Sequence, residues 1–304
     1  MNQPFFSIVI PTYNRPERLT NCLTAISKLN YPREQFEVIV VNDGSSMPMA
    51  PVIQPFQDQL QIVLINQTNS GPATARNVGA DKARGQFIAF TDDDCQPTSD
   101  WLNQLESQLT TTPNHLVGGR TLNALPDNLY STTSQLLIDY LYEYYNQAEG
   151  EAVFFASNNF ALPNRQFHQI GSFDTTFPLA AGEDREFCDR WLYQNHQMSF
   201  VSSAEVYHAH YLTLRSFWRQ HFNYGRGAFH FHQLRAQRGS GNVKVEPILF
   251  YFKLLTYPFS QTEAEQPRVL VTLLLFLSQV ANVAGFFWEK TNQTPNSSQT
   301  QAQV

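Results

Sequence analysis

Phe87–Asp94 reads FIAFTDDD, a short apolar run that ends in three consecutive aspartates. A continuous run of apolar and β-branched residues of this length predicts a strand that is buried on both faces, as in a parallel sheet. Three similar runs come earlier in the chain, at Phe6–Ile10, Phe36–Asn42 and Gln61–Asn66. The sequence therefore predicts a parallel sheet, with an acidic triplet directly after the strand at Phe87–Thr91.

Helical segments lie between these runs. Glu17–Lys28 carries apolar residues at helical spacing, and Pro72–Ala83 is alanine-rich and begins with a proline, which is favoured in the first turn of a helix. Farther on, helices are predicted at Thr132–Gln147 and Glu183–Gln194. The alternation predicts a doubly wound α/β domain, in which a mostly parallel sheet is flanked by helices. Because ligands bind beyond the carboxyl ends of the strands in such sheets, we expect the functional site there.

The composition limits the class of protein. The 304 residues are 42% hydrophobic, which is enough for a substantial core, and they carry a formal net charge of −6. An acidic chain is not expected to bind nucleic acid, because such binding needs a large cationic surface. Cys22, Cys95 and Cys188 lie far apart and outside any metal-binding spacing, so we expect buried thiols in a reducing compartment. The N-terminal stretch MNQPFFSIVIP lacks the basic region of a secretory signal, which predicts a cytoplasmic protein.

The regular alternation is lost in the second part of the chain, which predicts a division of roles. We expect one domain over residues 1–240, with a nucleotide-binding half at 1–115 and an acceptor half at 116–240. An apolar helical extension is predicted over 241–291. The polar residues 292–304 are predicted to form a disordered tail.

The triplet of Asp92, Asp93 and Asp94 predicts a cation site. Adjacent carboxylates repel one another unless a cation or strong hydrogen-bond donors offset their charge. Hard oxygen ligands suit Mg2+ or Mn2+, which bind one or two carboxylates together with phosphate oxygens of a substrate. The alternative is a solvated acidic turn, or the N-cap of a helix that starts near Ser99.

Polar residues also follow the first and second predicted strands. Pro11, Thr12, Tyr13 and Asn14 form a turn that can present backbone amides and an aromatic ring to a nucleotide base. Asp43 follows the second strand, where a carboxylate can accept a hydrogen bond from a ribose hydroxyl or from a base imide N–H. The alternative for Asp43 is an Asx turn.

Two further pairs of residues have roles that the pattern alone leaves open. Glu183 and Asp184 begin a predicted helix, where a carboxylate either interacts with the helix dipole or acts as a general base toward an attacking hydroxyl. His208 and His210 follow a predicted short strand and share one of its faces, so they either pack in the core or bind a metal. An acidic cluster that needs a further ligand favours metal binding.

The C-terminal third combines basic and apolar stretches. Residues 206–245 contain six basic residues and no acidic residue, which indicates contact with phosphate groups, an anionic membrane surface, or a solvated helix face. Val269–Trp288 is uncharged and reaches the length of about 20 residues that spans a bilayer, although a narrow polar seam runs along it. Three placements stay open: peripheral or monotopic attachment to the inner face of the cell membrane through 245–288, a true span, or a packed helix pair or oligomer interface in a soluble protein.

The motifs occur in an order that resembles the family 2 glycosyltransferases with the GT-A fold. The matching stretches are SIVIPTYNRPERL, VIVVNDGSS, NSGPATARNVGADKARGQFIAFTDDDC and GEDREFCDRW. Each stretch alone is weak, but the ordered set is specific and covers about Phe6–His210. The resemblance implies a GT-A type α/β domain with a C-terminal helical extension. It also implies that a sugar is transferred from a nucleotide-diphosphate sugar, with UDP as the expected nucleotide.

The resemblance carries over to individual positions of this chain. The nucleotide-sugar-binding residues that it implies are Pro11, Thr12, Tyr13, Asn14, Asp43, Arg76, Asp92 and Asp93. The implied ligands of Mn2+ or Mg2+ are Asp94 and Asp92, with His208 or alternatively His210. Asp184 matches the family's catalytic base, and Glu183 precedes it in the catalytic ED pair.

The implied reaction is a single displacement that inverts the anomeric configuration. Asp184 deprotonates an acceptor hydroxyl, while charge on the departing nucleoside diphosphate is offset by the metal. The acceptor is expected to be a sugar or a lipid-linked molecule, in the assembly of cell-surface polysaccharide or glycolipid. The alternatives are a lipid-phosphate sugar transferase, a sugar nucleotidyltransferase and a catalytically silent nucleotide-sugar-binding module.

Overall fold

A single eight-stranded sheet organises the protein. The fold is taken from a computed structural model, which describes residues 5–146, 152–177, 181–239, 246–261 and 266–292. The strands are β1 (Phe6–Thr12), β2 (Phe36–Asn42), β3 (Ile62–Asn66), β4 (Phe87–Thr91), β5 (Cys95–Pro97), β6 (Leu116–Asn123), β7 (Asn159–Pro163) and β8 (Met198–His208).

The order of the strands is β3-β2-β1-β4-β7-β6-β8-β5. The neighbours from β3 to β4 run parallel, because helices connect these strands and return the chain to the same edge. β7 is antiparallel to both β4 and β6, β8 runs parallel to β6, and the short β5 is antiparallel to β8. The four predicted strands lie within two residues of the observed bounds, and the predicted α/β class is confirmed.

Helices flank and extend the sheet in the described residues. They are α1 (Pro16–Ile26), α2 (Ala50–Ile53), α3 (Pro72–Lys82), α4 (Trp101–Thr111), α5 (Leu129–Tyr145), α6 (Asn164–Ile170), α7 (Glu183–Tyr193), α8 (Leu214–Gln237), α9 (Ile248–Ser260) and α10 (Arg268–Asn292). The helix predicted to start at Thr132 starts earlier, because Asn128 accepts a hydrogen bond from the Ser131 N–H and caps it. Its predicted last residue, Gln147, lies outside the described residues.

Each face of the sheet is covered by an apolar layer. Ile8 and Ile10 of β1 point into the layer with α1 and α4, whereas Val9 points into the layer with α3 and α7. This alternation is the period-two geometry of a strand that is buried on both faces. The three cysteines are free and buried, as the sequence predicts.

The two C-terminal helices pack onto the body of the protein. Leu137 and Tyr140 of α5 form a third apolar cluster with residues of α9 and α10, including Leu254 and Leu275. α10 extends to Asn292, whose side chain donates to the Trp288 carbonyl oxygen, so the observed helix includes the first residue of the predicted tail. Residues 293–304 of the predicted tail lie outside the described residues.

Candidate active site

The carboxyl ends of β1, β2 and β4 meet at one edge of the sheet. Thr12 at the end of β1 pairs in register with Asn42 at the end of β2. Thr12 Oγ1 donates a hydrogen bond of 2.8 Å to Asp93 Oδ2. The turn after the first strand and the acidic triplet after the fourth are therefore in direct contact, at the edge where ligands bind in open α/β sheets.

The three aspartates of the triplet have different surroundings. Asp93 and Asp94 are only 2% and 5% exposed, whereas the Asp92 side chain is more open. Burial, and next the charge of Asp94, raise the pKa of Asp93 to about 6. Burial also opposes the ionisation of Asp94, but His208 and His210 outweigh it and hold the pKa of Asp94 well below its usual range. Of the two buried carboxylates of the triplet, Asp94 therefore stays ionised to the lower pH.

Two arginines that sequence analysis did not single out lie over the buried aspartates. Arg15 Nη1 is 3.2 Å from Asp93 Oδ1, and Arg18 Nη1 is 2.8 Å from Asp94 Oδ2. Their spacing of three residues at the start of α1 was the available signal, because it places both on one helix face. The charge of the triplet is thus offset in part by the protein's own cations. The Arg15 side chain is 48% exposed, which leaves it room to turn away when another cation binds.

The two histidines reach Asp94 through the pairing of β5 with β8. Cys95 pairs in register with His208, and the Ala209 N–H donates to the Asp94 carbonyl oxygen. His208 Nε2 is 3.3 Å from Asp94 Oδ1, and His210 Nδ1 is 3.9 Å from Asp94 Oδ2. The two rings stack with their centroids 4.9 Å apart. Both histidines therefore face the same carboxylate.

Asp94, Cys95 and His208 present ligand atoms within 4.8 Å of one another. The carboxylate and the imidazole fit a divalent cation, and the imidazole favours Mn2+ over Mg2+, which demands oxygen ligands. Cys95 does not fit. Burial, and next the charge of Asp94, raise the pKa of this thiol well above its usual range, and a soft sulfur ligand does not suit Mn2+ or Mg2+. The donor set that fits is Asp94 with His208, and His210 lies beside it.

Arg76 on α3 connects the acidic triplet to the ED pair. Its guanidinium lies 2.6 Å from Asp92 Oδ1 and 3.2 Å from Glu183 Oε1. Asp92, predicted as a metal ligand, is thus paired with Arg76 and is not part of the group formed by Asp94 and His208. In the described part of the chain, Arg76 Nε and Glu183 Oε2 are buried without a hydrogen-bond partner. Buried polar atoms of this kind are suited to a polar ligand.

Glu183 and Asp184 begin α7, directly after Gly182 at a φ of 97°. Burial, and next the charge of Asp184, raise the pKa of Glu183 to about 7, although Arg76 opposes the shift. Burial also raises the pKa of Asp184, against the hydrogen bond that it accepts from the Arg185 N–H. A carboxylate with a raised pKa is more basic, so the pair has the electrostatic character that a general base needs.

The turn at Pro11–Asn14 is fixed to the loop after β2. Asn14 adopts a φ of 55°, and its side-chain oxygen accepts a hydrogen bond of 2.8 Å from the Ser46 N–H. The Asn14 N–H donates to Ser45 Oγ. Asn14 therefore holds the turn, while the Tyr13 side chain is 47% exposed and leaves its ring open for stacking.

Asp43 organises the loop before α3. Its carboxylate accepts hydrogen bonds of 2.8 to 2.9 Å from Gln67 Nε2 and from the N–H groups of Ser70 and Gly71. These partners lie more than twenty residues away along the chain, so the hydrogen bonds of the Asp43 carboxylate are not those of a local Asx turn. A carboxylate accepts about four hydrogen bonds, so one position stays available for a donor from a ligand.

A polar cavity of about 80 Å³ lies beside the two histidines. Its lining includes the uncharged side chains of Thr121, Asn123, Ser134, Gln135, Asn158 and Tyr224. Gln220 Oε1 lies 2.5 Å from His210 Nε2, and Gln220 Nε2 donates to Ser134 Oγ and Tyr224 Oη. Because an amide oxygen only accepts, His210 carries a proton on Nε2 in this contact. Sequence analysis did not single out Gln220, and no local pattern marks it.

A larger cavity of about 520 Å³ shares no lining residue with the acidic triplet or the ED pair. It lies between the connection of α6 to α7 and the end of α8. Arg190, which lines it, donates to the carbonyl oxygens of Ile170 and Ser172 and pairs with Glu186. The guanidinium of Arg190 already binds these groups of the protein, so it gives no sign of an anion site in the cavity.

The parallel half-sheet, with acidic motifs beyond the carboxyl ends of its strands, has the architecture of the GT-A fold. The family model described as glycosyl transferase family 2 matches residues 7–171, just over half of the chain. The protein belongs to this family, and the predicted class is confirmed.

Known proteins of similar sequence and structure agree with this class. The glycosyltransferase AglE of Haloferax volcanii is 36% identical over 127 residues, which cover 41% of each chain. The mannosyltransferase PcManGT of Pyrobaculum calidifontis, solved with GDP-Man and Mn2+, superposes with a TM-score of 0.63 at 17% identity and covers 93% of this chain and 88% of its own. A fragment of S. aureus TarS, solved with UDP-GlcNAc, superposes with a TM-score of 0.53 at 17% identity and covers 94% and 90%.

The curated relatives are longer than the segment that they share with this chain. The matched part covers 41% of AglE, 24% of a hyaluronan synthase of Pasteurella multocida and 16% of full-length TarS. The likeness therefore concerns the glycosyltransferase core.

Proposed function

We propose that the protein transfers a sugar from a nucleotide-diphosphate sugar to an acceptor hydroxyl, with inversion at the anomeric carbon. The observation that best supports this function is the position of Arg76, which lies within 3.2 Å of both Asp92 and Glu183. One ion-pair network thus joins the acidic triplet, where the leaving group is expected, to the pair that contains the candidate base. A displacement needs these two functions close together and in a fixed orientation.

In this proposal Asp184 is the general base. Its carboxylate takes the proton of the acceptor hydroxyl, while the hydroxyl oxygen bonds to the anomeric carbon and the bond from that carbon to the diphosphate oxygen breaks. The N–H groups of Arg185 and Ser157 orient the carboxylate. Glu183 is paired with Arg76, so it acts as a positioning residue. This division favours Asp184 over Glu183 as the group that faces the acceptor.

The metal site in this proposal consists of Asp94 and His208, with His210 beside them. When bound, a divalent cation offsets negative charge on the departing diphosphate. The imidazole nitrogens favour Mn2+ over Mg2+. The Mn2+ in the PcManGT complex supports this choice for a protein of the same fold.

The nucleoside is expected to bind along Thr12, Tyr13, Asp43 and Asp93. The acceptor position that remains on Asp43 suits an imide N–H, which uracil, thymine and guanine all possess, so this contact does not select the base. UDP is the expected nucleotide, and a GDP sugar is the other donor that the test must include. TarS was solved with UDP-GlcNAc and PcManGT with GDP-Man.

The experiment is a binding screen on the full-length protein. UDP, GDP and dTDP sugars are tested by thermal shift and calorimetry with and without Mn2+, and the product made with the best donor is analysed by NMR. A ligand at a hundred times its Kd stabilises the native state by about 2.7 kcal/mol, which is a measurable rise in Tm. A flat screen favours the silent binding module, and a product with retained configuration contradicts the mechanism.

The proposed acceptor is a sugar or a lipid-linked molecule. The uncharged hydrogen-bonding groups of the polar cavity suit sugar hydroxyls, and the assembly of cell-surface polysaccharide or glycolipid on the cytoplasmic side is the expected setting. In this proposal the catalytic domain spans residues 1–240, and the extension at 241–291, within which α9 and most of α10 lie, is the feature that bears on a lipid-linked acceptor.

A further inference from the structure

α10 exposes apolar residues along one side, whereas a helix on the surface of a water-soluble protein exposes mainly polar residues. Among the described residues it is the one helix long and apolar enough to cross a membrane. Seven apolar residues are 41% to 62% exposed along one side, namely Val269, Leu270, Leu273, Phe276, Val280, Val283 and Phe287. The polar seam consists of Thr272, Ser278, Gln279 and Asn282, of which Ser278 is buried against the protein and the other three are partly buried. A surface helix normally turns its polar side to water, so this side of α10 is suited to an apolar medium.

Two hydroxyls of the polar seam donate hydrogen bonds to backbone carbonyl oxygens of the protein. Thr272 Oγ1 donates to the Leu255 carbonyl oxygen, and Ser278 Oγ donates to the Leu275 carbonyl oxygen. α9 adds Ile248, Leu249 and Phe252 to the exposed apolar surface, at 89%, 57% and 65% exposure. We call the exposed apolar residues of α9 and α10 the outer face. Exposed apolar surface of this extent marks an interaction site.

Basic and aromatic side chains accompany the outer face. Arg268 and Lys290 lie at the two ends of α10, and Lys253 is exposed on α9. The acidic residue of α10, Glu289, is neutralised by Arg226 at 2.6 Å. Trp288 is 45% exposed near the end of the helix. Apolar residues bordered by cations and tryptophan are typical of a surface that meets anionic lipid headgroups.

α10 is locked to α8 at two points where the helix backbones touch. A Cβ atom on Gly225 of α8 would lie 1.8 Å from the Asn282 carbonyl oxygen, and a Cβ atom on Gly285 of α10 would lie 1.9 Å from the Phe222 carbonyl oxygen. α8 also carries Gln220 to the polar cavity. α10 therefore cannot separate from α8 without disturbing the wall of the candidate active site, which opposes a transmembrane span.

We propose that the outer face inserts in the plane of an anionic lipid bilayer and attaches the enzyme to it as a monotopic protein. The charges favour a bilayer over a second copy of the chain. A twofold contact through this face would bring the same basic residues of two copies together, whereas anionic headgroups complement them. Since α8 contacts α10 and also lines the polar cavity, the attachment holds the candidate acceptor region near the membrane. That last consequence rests on the proposed function, and the attachment does not.

The test measures binding of the full-length protein to sealed vesicles of phosphatidylcholine, with and without one quarter phosphatidylglycerol. The variant Leu273→Ser/Phe276→Ser/Val280→Ser changes the outer face. The matched control Met47→Ser/Val63→Ser/Val153→Ser changes residues of similar exposure elsewhere. We expect the wild type and the control to bind anionic vesicles, and the outer-face variant to bind at least about tenfold more weakly. Absence of wild-type binding, or equal loss in both variants, overturns the proposal.

A second measurement separates attachment in the plane from a span and from a dimer. The native cysteines are buried, so Pro267→Cys, just before α10, and Asn292→Cys, at its last residue, introduce single accessible thiols at exposed positions outside the outer face. In-plane attachment leaves both thiols reactive to an impermeant reagent outside the vesicles, whereas protection of one end indicates a span and overturns the proposal. A lipid-free dimer that the outer-face variant dissociates, combined with no vesicle binding, also overturns it. Donor binding in the thermal-shift screen is read separately, so loss of the proposed function would leave the vesicle result intact.

Discussion

The guanidinium of Arg76 and the carboxylate of Glu183 form a buried ion pair, with Nη1 3.2 Å from Oε1 and both side chains at most 6% exposed. A buried charge that loses its partner is strongly destabilising. Because Arg76 also pairs with Asp92, its removal leaves two carboxylates without a counter-charge.

We expect Arg76→Met to lower the free energy of unfolding by about 3 kcal/mol or more, measured by urea denaturation. Replacing both partners, as in Arg76→Met/Glu183→Met, is expected to be less damaging than the single change, because no buried charge of the pair is then left alone. Arg33→Met, at an exposed position, is the control. If Arg76→Met lowers the free energy of unfolding by less than about 1 kcal/mol, the Arg76–Glu183 pair contributes no more than an exposed surface ion pair.

Asp94→Asn is expected to lower Mn2+ affinity at least about tenfold, because it removes the ionised oxygen ligand of the proposed site. The measurement is Mn2+ titration of the metal-free protein by calorimetry, with circular dichroism to show that the variant is folded. Asp58→Asn, which changes an exposed aspartate, provides the control. Full turnover of the wild type in excess EDTA would contradict a metal-dependent reaction.

Asp184→Asn is expected to reduce kcat by about a hundredfold or more and to leave donor affinity nearly unchanged, because a general base acts in the transition state. Steady-state kinetics and direct donor binding provide the two readouts. Glu183→Gln is the comparison, since it alters the neighbouring carboxylate and keeps Asp184. Normal turnover combined with weak donor binding in Asp184→Asn would assign Asp184 to binding.

The ED pair also predicts the acidic limb of the pH profile. A carboxyl group with a raised pKa keeps its proton to a higher pH, so the basic form is lost as the pH falls through that pKa. The pKa of Glu183 is raised to about 7, by burial and next by the charge of Asp184. Burial also raises the pKa of Asp184, the proposed base, so we expect kcat/KM to decline on the acidic side at a higher pH than for an ordinary aspartate. Glu183→Gln removes the like charge beside Asp184 and should move the decline to lower pH, and an unchanged profile in this variant would exclude coupling between the two groups.

Gln220 is expected to tune the metal site through His210. Its amide oxygen fixes the proton on His210 Nε2, so Gln220→Leu frees the ring to turn or to change tautomer. We expect Mn2+ affinity to fall about tenfold or more in this variant and to recover in Gln220→Glu, which restores an acceptor. Gln135→Leu is a matched control from the same cavity, because the hydrogen bonds of Gln135 go to Thr121 and Asp139. Equal affinities in all three variants would leave Gln220 a packing role only.

The parallel half of the sheet could be predicted because its signals are local. β2 and β4 have their predicted bounds, since each is a continuous apolar run that ends in polar residues. The helices predicted to begin at Pro72 and Glu183 do begin there, whereas the start of α5 was missed by three residues. The start of α5 depends on Asn128, a capping residue that lies before the apolar pattern begins.

The candidate site could be predicted only in its motif residues. Asp94 and Asp184 stand in motifs that follow a strand or begin a helix. Arg15 and Arg18 were missed because arginines in a first helical turn usually lie in solvent. Gln220 was missed because nothing around it in α8 distinguishes it from other polar helix residues. The polar seam of α10 was recognised, but its burial against the protein depends on where α8 and α9 pack.

The sequence alone determined the α/β class, the family and the acidic motifs, because strand runs, helix spacing and short motifs depend on neighbouring residues. The tertiary structure decided which of these motifs meet. His208 reaches Asp94 only through the register of β5 with β8, and Arg76 joins Asp92 to Glu183 only because α3 and α7 pack on the same face of the sheet. Such contacts join residues far apart in the chain, and they follow from packing the whole domain, which no local pattern encodes.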